Sequence, residues 1–220
     1  MMTGNGQAAE GREARDALAL LKRFVQAAPA PAAERCELCG AGLNAAHRHL
    51  LEPQSRRMAC ACQACAILFC GQRGAKYLRI PQRVRELKDF SLSDMEWAEL
   101  SIPIELAYFY RNAEGRLVSS YPSPAGAIES ELSFHSLQEA VGRRLELRNM
   151  EPLVEALLVN RVGGARWYFI APIDECYRLV GLIRTKWRGL SGGAEVWGAI
   201  TEFFSALRAR TSQAGREHYA

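Results

Sequence analysis

Six of the seven cysteines and two of the four histidines fall between Cys36 and Cys70. That crowding constrains the fold more than any hydrophobic pattern does, because thiols gathered so densely must bind an ion, pair with one another or be buried. Their order is Cys36-Glu-Leu-Cys39-Gly40, then His47-Arg-His49, then Cys60-Ala-Cys62-Gln-Ala-Cys65, and finally Cys70. Two Cys-x-x-Cys pairs, Cys36/Cys39 and Cys62/Cys65, are separated by a span that a β-hairpin can fold across, which is the spacing of a zinc ribbon. Two thiolates three positions apart on a tight knuckle point at one centre, and two such knuckles complete a tetrahedron.

Gly40 fits the first knuckle, since glycine reaches the positive φ that turns backbone N–H groups toward the sulfurs. Ala66 stands in the matching place after the second pair. Rubredoxin-type iron sites usually carry glycine after both, so the departure favours zinc, with iron as the alternative. Buried apolar thiols and disulfides compete with a metal site, but such crowding in a chain without a secretory signal reads as metal binding. Cys60, Cys70, His47 and His49 are left as secondary candidates. If residues 47–51 form a strand, His47 and His49 share a face and can meet Cys60 in a second, open metal or redox position. The plainer reading makes them surface histidines over a buried thiol, and Cys60 can also replace Cys62 as the fourth ligand.

At 220 residues the chain is long enough for one sizeable core and a small module, and no apolar run approaches the ~18 residues of a membrane span. The apolar segment 18–25 is interrupted by Lys22 and Arg23 and lacks the layout of a signal peptide. With the odd cysteine count, this points to a reducing cytoplasm. A net charge of +4, spread along the chain, is too weak a basis for nucleic-acid binding.

The remaining pattern predicts an α+β fold: a small zinc-ribbon-like or rubredoxin-like module followed by a domain of antiparallel hairpins packed with helices. Residues 1–11 read as a disordered tail and 12–33 as an amphipathic helix with a Pro/Ala linker. Residues 34–75 form the cysteine-rich module, 76–210 the α+β domain and 211–220 a flexible tail. Within the domain, 76–80 is a short strand, Ser91 or Ser93 caps a helix to Leu100, and 104–110 with 116–121 make a hairpin. Residues 121–130 read as a proline-broken loop, and a helix follows over 136–147. Residues 154–162 and 166–173 flank Gly163-Gly164 as a second hairpin. Cys176, Leu179, Val180, Ile183 and Trp187 then recur at helical spacing, and a final helix starts at Ala194.

No nucleotide fingerprint or catalytic constellation can be picked out, and nothing demands an enzyme. The 189–193 glycine cluster could hold an anion at the following helix, but reads first as a helix stop and tight turn. Cys176 reads as a core thiol, because Asp174 and Glu175 oppose its ionisation, and His135 stands alone.

Several phrases carry a resemblance: Arg35-Cys-Glu-Leu-Cys39, His47-Arg-His-Leu-Leu51, Cys60-x-Cys-x-x-Cys65, Tyr121-Pro-Ser-Pro-Ala-Gly126, Ala156-Leu-Leu-Val-Asn-Arg161, Cys176-Tyr-Arg-Leu-Val-Gly-Leu-Ile-Arg184 and Trp187-Arg-Gly-Leu-Ser-Gly-Gly193. Together they resemble an uncharacterised bacterial family whose genes neighbour those of actinobacterial-type, oxygen-tolerant nickel–iron hydrogenases. The resemblance spans nearly everything from Cys36 to Leu207. It implies a hydrogenase context, with a hydrogenase subunit or maturation factor as partner, and assigns no functional residues. The expected role is a metal-binding accessory protein for assembly or maturation, with an iron redox carrier as the alternative and self-association left open.

Overall fold

The computed structural model describes residues 34–72, 74–130 and 145–217. The helix expected over 12–27, the flanking segments, His135 and most of the helix expected over 136–147 lie outside the described residues.

Two antiparallel sheets organise the described residues. The larger has six strands in the order β4-β9-β8-β5-β6-β7: β4 (Arg85–Glu86), β5 (Leu106–Arg111), β6 (Leu117–Ser123), β7 (Gly126–Ser130), β8 (Glu155–Asn160) and β9 (Trp167–Pro172). Its central strands read as unbroken apolar runs because both faces are covered. Leu106, Tyr108, Tyr110, Ala156, Leu158, Phe169 and Ala171 face one core, and the alternate residues Ala107, Phe109, Leu157, Val159, Tyr168 and Ile170 face another. The first core is closed by α4 (Ile173–Lys186) and α5 (Gly193–Glu217). The stripe Cys176, Leu179, Val180, Ile183 of α4 and Val196, Ile200, Phe203, Phe204, Leu207 of α5 supply its far wall. The second core is closed by α2 (Asp94–Glu99), through Trp97, and by Leu147 of α3 (Leu145–Arg148). Of the two serines that the sequence offered as a cap, Ser93 caps α2, in a reciprocal box with Glu96.

Both expected hairpins form, β5/β6 and β8/β9, the latter turning through a 3-10 segment at Val162–Gly164. The loop expected over 121–130 is instead a third hairpin. β6 runs on through Pro122, and β7 pairs with it from Ser123↔Gly126 to Ser119↔Ser130. Pro122 is tolerated because the ladder from β5 extends only as far as Ser120, so beyond it β6 has just one hydrogen-bonded neighbour and the missing N–H is not needed.

The smaller sheet has the order β2-β1-β3, built from β1 (Arg48–Glu52), β2 (Arg57–Ala61) and β3 (Leu78–Arg79), with α1 (Gln63–Leu68) following β2. Its third strand therefore comes from beyond residue 75. Strand alternation in β1 points neighbouring leucines in opposite directions: Leu50 joins Cys36, Ala61, Cys65, Ala66 and Tyr77 in a small core, while Leu51 enters the α4/α5 core. The β1–β2 turn is fastened separately. Arg56, at φ 57, donates to Glu129 Oε1 of β7 at 2.5 Å and to the Tyr177 hydroxyl of α4 at 3.1 Å, with its guanidinium 5.1 Å from the centre of the Tyr110 ring.

The glycine cluster at 189–193 makes the tight turn between α4 and α5. The Trp187 and Trp197 indoles donate to the Gly189 and Ser191 carbonyls at 2.9 and 3.0 Å and pack edge to face.

Candidate metal centre

The first knuckle is closed by backbone hydrogen bonds from Gly40 N–H to Cys36 O and from Cys36 N–H to Ala41 O, both 2.8 Å, with Gly40 at φ 75. Glu37 within it locks onto β2: its N–H donates to Cys60 O at 2.9 Å, and its carboxylate accepts from Cys60 N–H at 2.8 Å. The second pair is not a glycine-turned knuckle. Cys62 is the N-cap of α1 and Cys65 sits in its first turn, where the Cys65 N–H donates to Cys62 Sγ at 3.4 Å. A helix start thus supplies the N–H groups that a second glycine would have released, which accounts for Ala66 in that place.

These elements bring the sulfurs of Cys36, Cys39, Cys62 and Cys65 within 4.8 Å of one another. The Cys39 and Cys62 sulfurs are 3.7 Å apart. A tetrahedral ion with bonds of about 2.3 Å requires sulfurs about 3.8 Å apart, so the set fits such an ion with little adjustment. All seven cysteines are free. Cys36 and Cys65 are buried and Cys39 is exposed, so the centre lies at the rim of the small core.

Burial opposes ionisation of Cys36, but the backbone N–H groups of Cys62, Leu38 and Cys39 outweigh it and bring its thiol down to about 6. Cys65 moves the other way, pushed up by burial and then by the sulfurs of Cys39, Cys62 and Cys36. Four converging thiols cannot all ionise unaided, and a divalent cation at their centre removes the conflict.

The structure also separates the secondary candidates. Cys60 lies apart from the four and Cys62 belongs with them: within β2 alternation sends Ala61 into the small core and Cys60 to the opposite face, and the strand ends at Ala61, so that Cys62 turns away as the N-cap of α1. Cys60 is paired across the ladder with His49, and His47, His49 and Cys60 form a second group whose ligand atoms lie within 4.8 Å of one another. Cys70 belongs to neither group; it packs on the edge of the small core, with its thiol pushed up by burial. Cys176 is fully enclosed in the α4/α5 core, where burial and then the charges of Asp174 and Glu175 raise its thiol well above the ordinary value, in keeping with a core thiol.

Sequence reasoning missed Asp174 as a partner of this region. Its carboxylate accepts from His49 Nδ1 at 2.7 Å across 125 residues of chain and raises the imidazole above its ordinary value. In the sequence it reads only as an acid favoured at the start of α4. Glu37 was missed too, since nothing in a Cys-x-x-Cys pair marks which intervening side chain turns back to the sheet.

No helix among the described residues is long and apolar enough to cross a membrane. Neither the curated proteins nor the solved structures contain a match to this chain. Residues 35–211, from the start of the first knuckle to well inside α5, match one protein family, and the chain therefore belongs to the family of unknown function DUF5947.

Proposed function

We propose that the protein is a metal-binding accessory protein in which Cys36, Cys39, Cys62 and Cys65 hold a structural zinc ion, and whose cysteine-rich lobe docks on another protein. The convergence of four sulfurs, with one pair already at the spacing of a filled tetrahedron, carries this reading. Four protein ligands leave no position for substrate, which is the mark of a structural site. Such an ion supplies folding energy to a lobe whose own core is only a handful of residues. Just beyond Cys65 and the buried Ala66, Ile67, Leu68 and Phe69 are 60, 65 and 48 % exposed, and three consecutive large apolar side chains beside a rigid metal-stapled turn suit a protein contact. The resemblance to a hydrogenase-neighbouring family suggests the partner: a nickel–iron hydrogenase subunit or maturation factor in the cytoplasm, where seven cysteines outside disulfides would be stable.

Copurification of the full chain with the precursor and mature hydrogenase subunits tests the docking. Association lost on Leu68→Ser is expected; failure to associate with any of them removes the hydrogenase assignment. The second reading, a rubredoxin-like iron carrier, draws support from the exposure of Cys39, which brings the centre to the surface where electrons could pass. Freshly isolated protein separates the two: iron thiolates are coloured and bleach on reduction, whereas the zinc protein is colourless.

A further inference from the structure

The second group, on the opposite face of the small sheet from the four-cysteine centre, is built as a site in its own right. A carbonyl or carboxylate oxygen can only accept, so the nitrogen facing it must carry the proton. His47 Nδ1 faces the Asn44 carbonyl at 3.0 Å and Glu34 Oε2 at 3.3 Å, and His49 Nδ1 faces Asp174 Oδ2 at 2.7 Å. In both neutral rings the lone pair is thereby assigned to Nε2, the arrangement by which metal-binding histidines are oriented. The His47 side chain is only 6 % exposed, and its Nε2 is buried with no hydrogen-bond partner. Such an orphaned acceptor is costly unless something fills it. The rings stand edge to face with centroids 4.8 Å apart, and Cys60 lies directly across the ladder from His49. Beside them a cleft of about 780 Å³ opens, bounded by His47, His49, Met58, Pro81, Asp174 and Tyr177.

We propose that His47, His49 and Cys60 form a second metal site, which takes a zinc-like divalent ion through Nε2 of both imidazoles and the Cys60 thiolate and keeps its fourth position open to this cleft. Two nitrogens and one thiolate suit late first-row ions, and three protein ligands with a free position distinguish an exchangeable or reactive centre from a closed structural one. Binding releases the Cys60 thiol proton and, from the fraction of chains in which Asp174 keeps His49 protonated, the His49 Nε2 proton, so that both imidazoles ligate as neutral rings. Asp174 is a positioning residue: it holds the His49 ring and ties the site to the first turn of α4, so an ion here also joins the small sheet to the larger domain. The site uses none of the four-cysteine ligands and stands whether or not that centre is zinc.

Titration of the full, metal-stripped chain with Zn²⁺, followed by dialysis and elemental analysis, tests this. Wild type should retain two ions per chain. Cys60→Ser, a one-atom change, and His47→Ala/His49→Ala should each retain one, with unchanged far-ultraviolet circular dichroism. Asp174→Asn should bind the second ion about 10–100-fold more weakly. Failure of the four-cysteine centre would show separately, as a Cys39→Ser variant that loses no ion. Wild type saturating at one ion that Cys39→Ser removes, or Cys60→Ser retaining both ions with unchanged affinity, would overturn the second site, and Cys60→Ser alone decides it should the histidine variant fail to fold.

Discussion

Gly40 shows how much a single residue carries. Its φ of 75 lies where an L side chain is disfavoured by about 1–2 kcal/mol, yet a Cβ there would meet nothing within 4 Å. Gly40→Ala should therefore cost about 1 kcal/mol, all of it conformational, and weaken metal binding by the same free energy in competition with a chelator. Glu129 carries a different kind of weight. Burial would raise its carboxyl, but the Tyr110 hydroxyl and the Arg56 guanidinium outweigh burial and hold it below the ordinary glutamate value of 4.5. A depressed folded value means that the stabilisation is complete above 4.5 and is lost as pH falls through the lower folded value. With both side chains about two-fifths exposed, solvent screening limits the contribution to about 1 kcal/mol. In thermal unfolding, Glu129→Gln should melt below wild type at pH 7, and the gap should close as pH is lowered from 4.5 toward 3.

At the level of elements, what was legible in the sequence followed periodicity and spacing. The Cys176, Leu179, Val180, Ile183 stripe gave α4, and the apolar runs around Gly163-Gly164 gave β8 and β9. The Cys-x-x-Cys pairs gave the four cysteines whose sulfurs converge, with the spacing of the second pair equally compatible with a knuckle or a helix start. Register was not legible: nothing local says that His49 pairs with Cys60, or that β2 stops at Ala61 so that Cys62 turns into α1 and parts from Cys60. The β6–β7 hairpin was hidden because Pro122 and Pro124 imitate a loop, and only the end of the β5 ladder at Ser120 makes Pro122 harmless. The turn between α4 and α5 is more demanding than its glycines suggest. At Gly192 a Cβ would come 2.8 Å from Val196 Cγ1 and 3.2 Å from the Trp187 ring, at φ +88. Gly192→Ala should cost about 2 kcal/mol or more by denaturant unfolding, since conformational strain adds to overpacking.

At the scale of the whole molecule, the described residues form a two-faced antiparallel sheet with helices on both sides, and a small three-stranded lobe held to it by Leu51, the His49–Asp174 bond and the Arg56 clamp. Stability resides in the large sheet. Leu158, fully buried where β8 faces α4 and α5, should cost about 2–5 kcal/mol on substitution by alanine and lower the unfolding midpoint of the entire chain. The small lobe differs, because its core has few apolar residues, and on the proposed reading an ion held by the four thiolates supplies the rest. Cys39 offers the sharpest access to that claim: it is exposed, so replacing its sulfur by oxygen removes a proposed ligand with little effect on packing. The decisive measurement is the zinc content of Cys39→Ser beside wild type, read together with hydrogen-exchange protection of the Leu50 and Leu51 amides. One ion fewer per chain and faster exchange in the small sheet, with β8 still protected, is the expected result; unchanged zinc content and unchanged protection would contradict a four-thiolate ion as the clasp of the lobe.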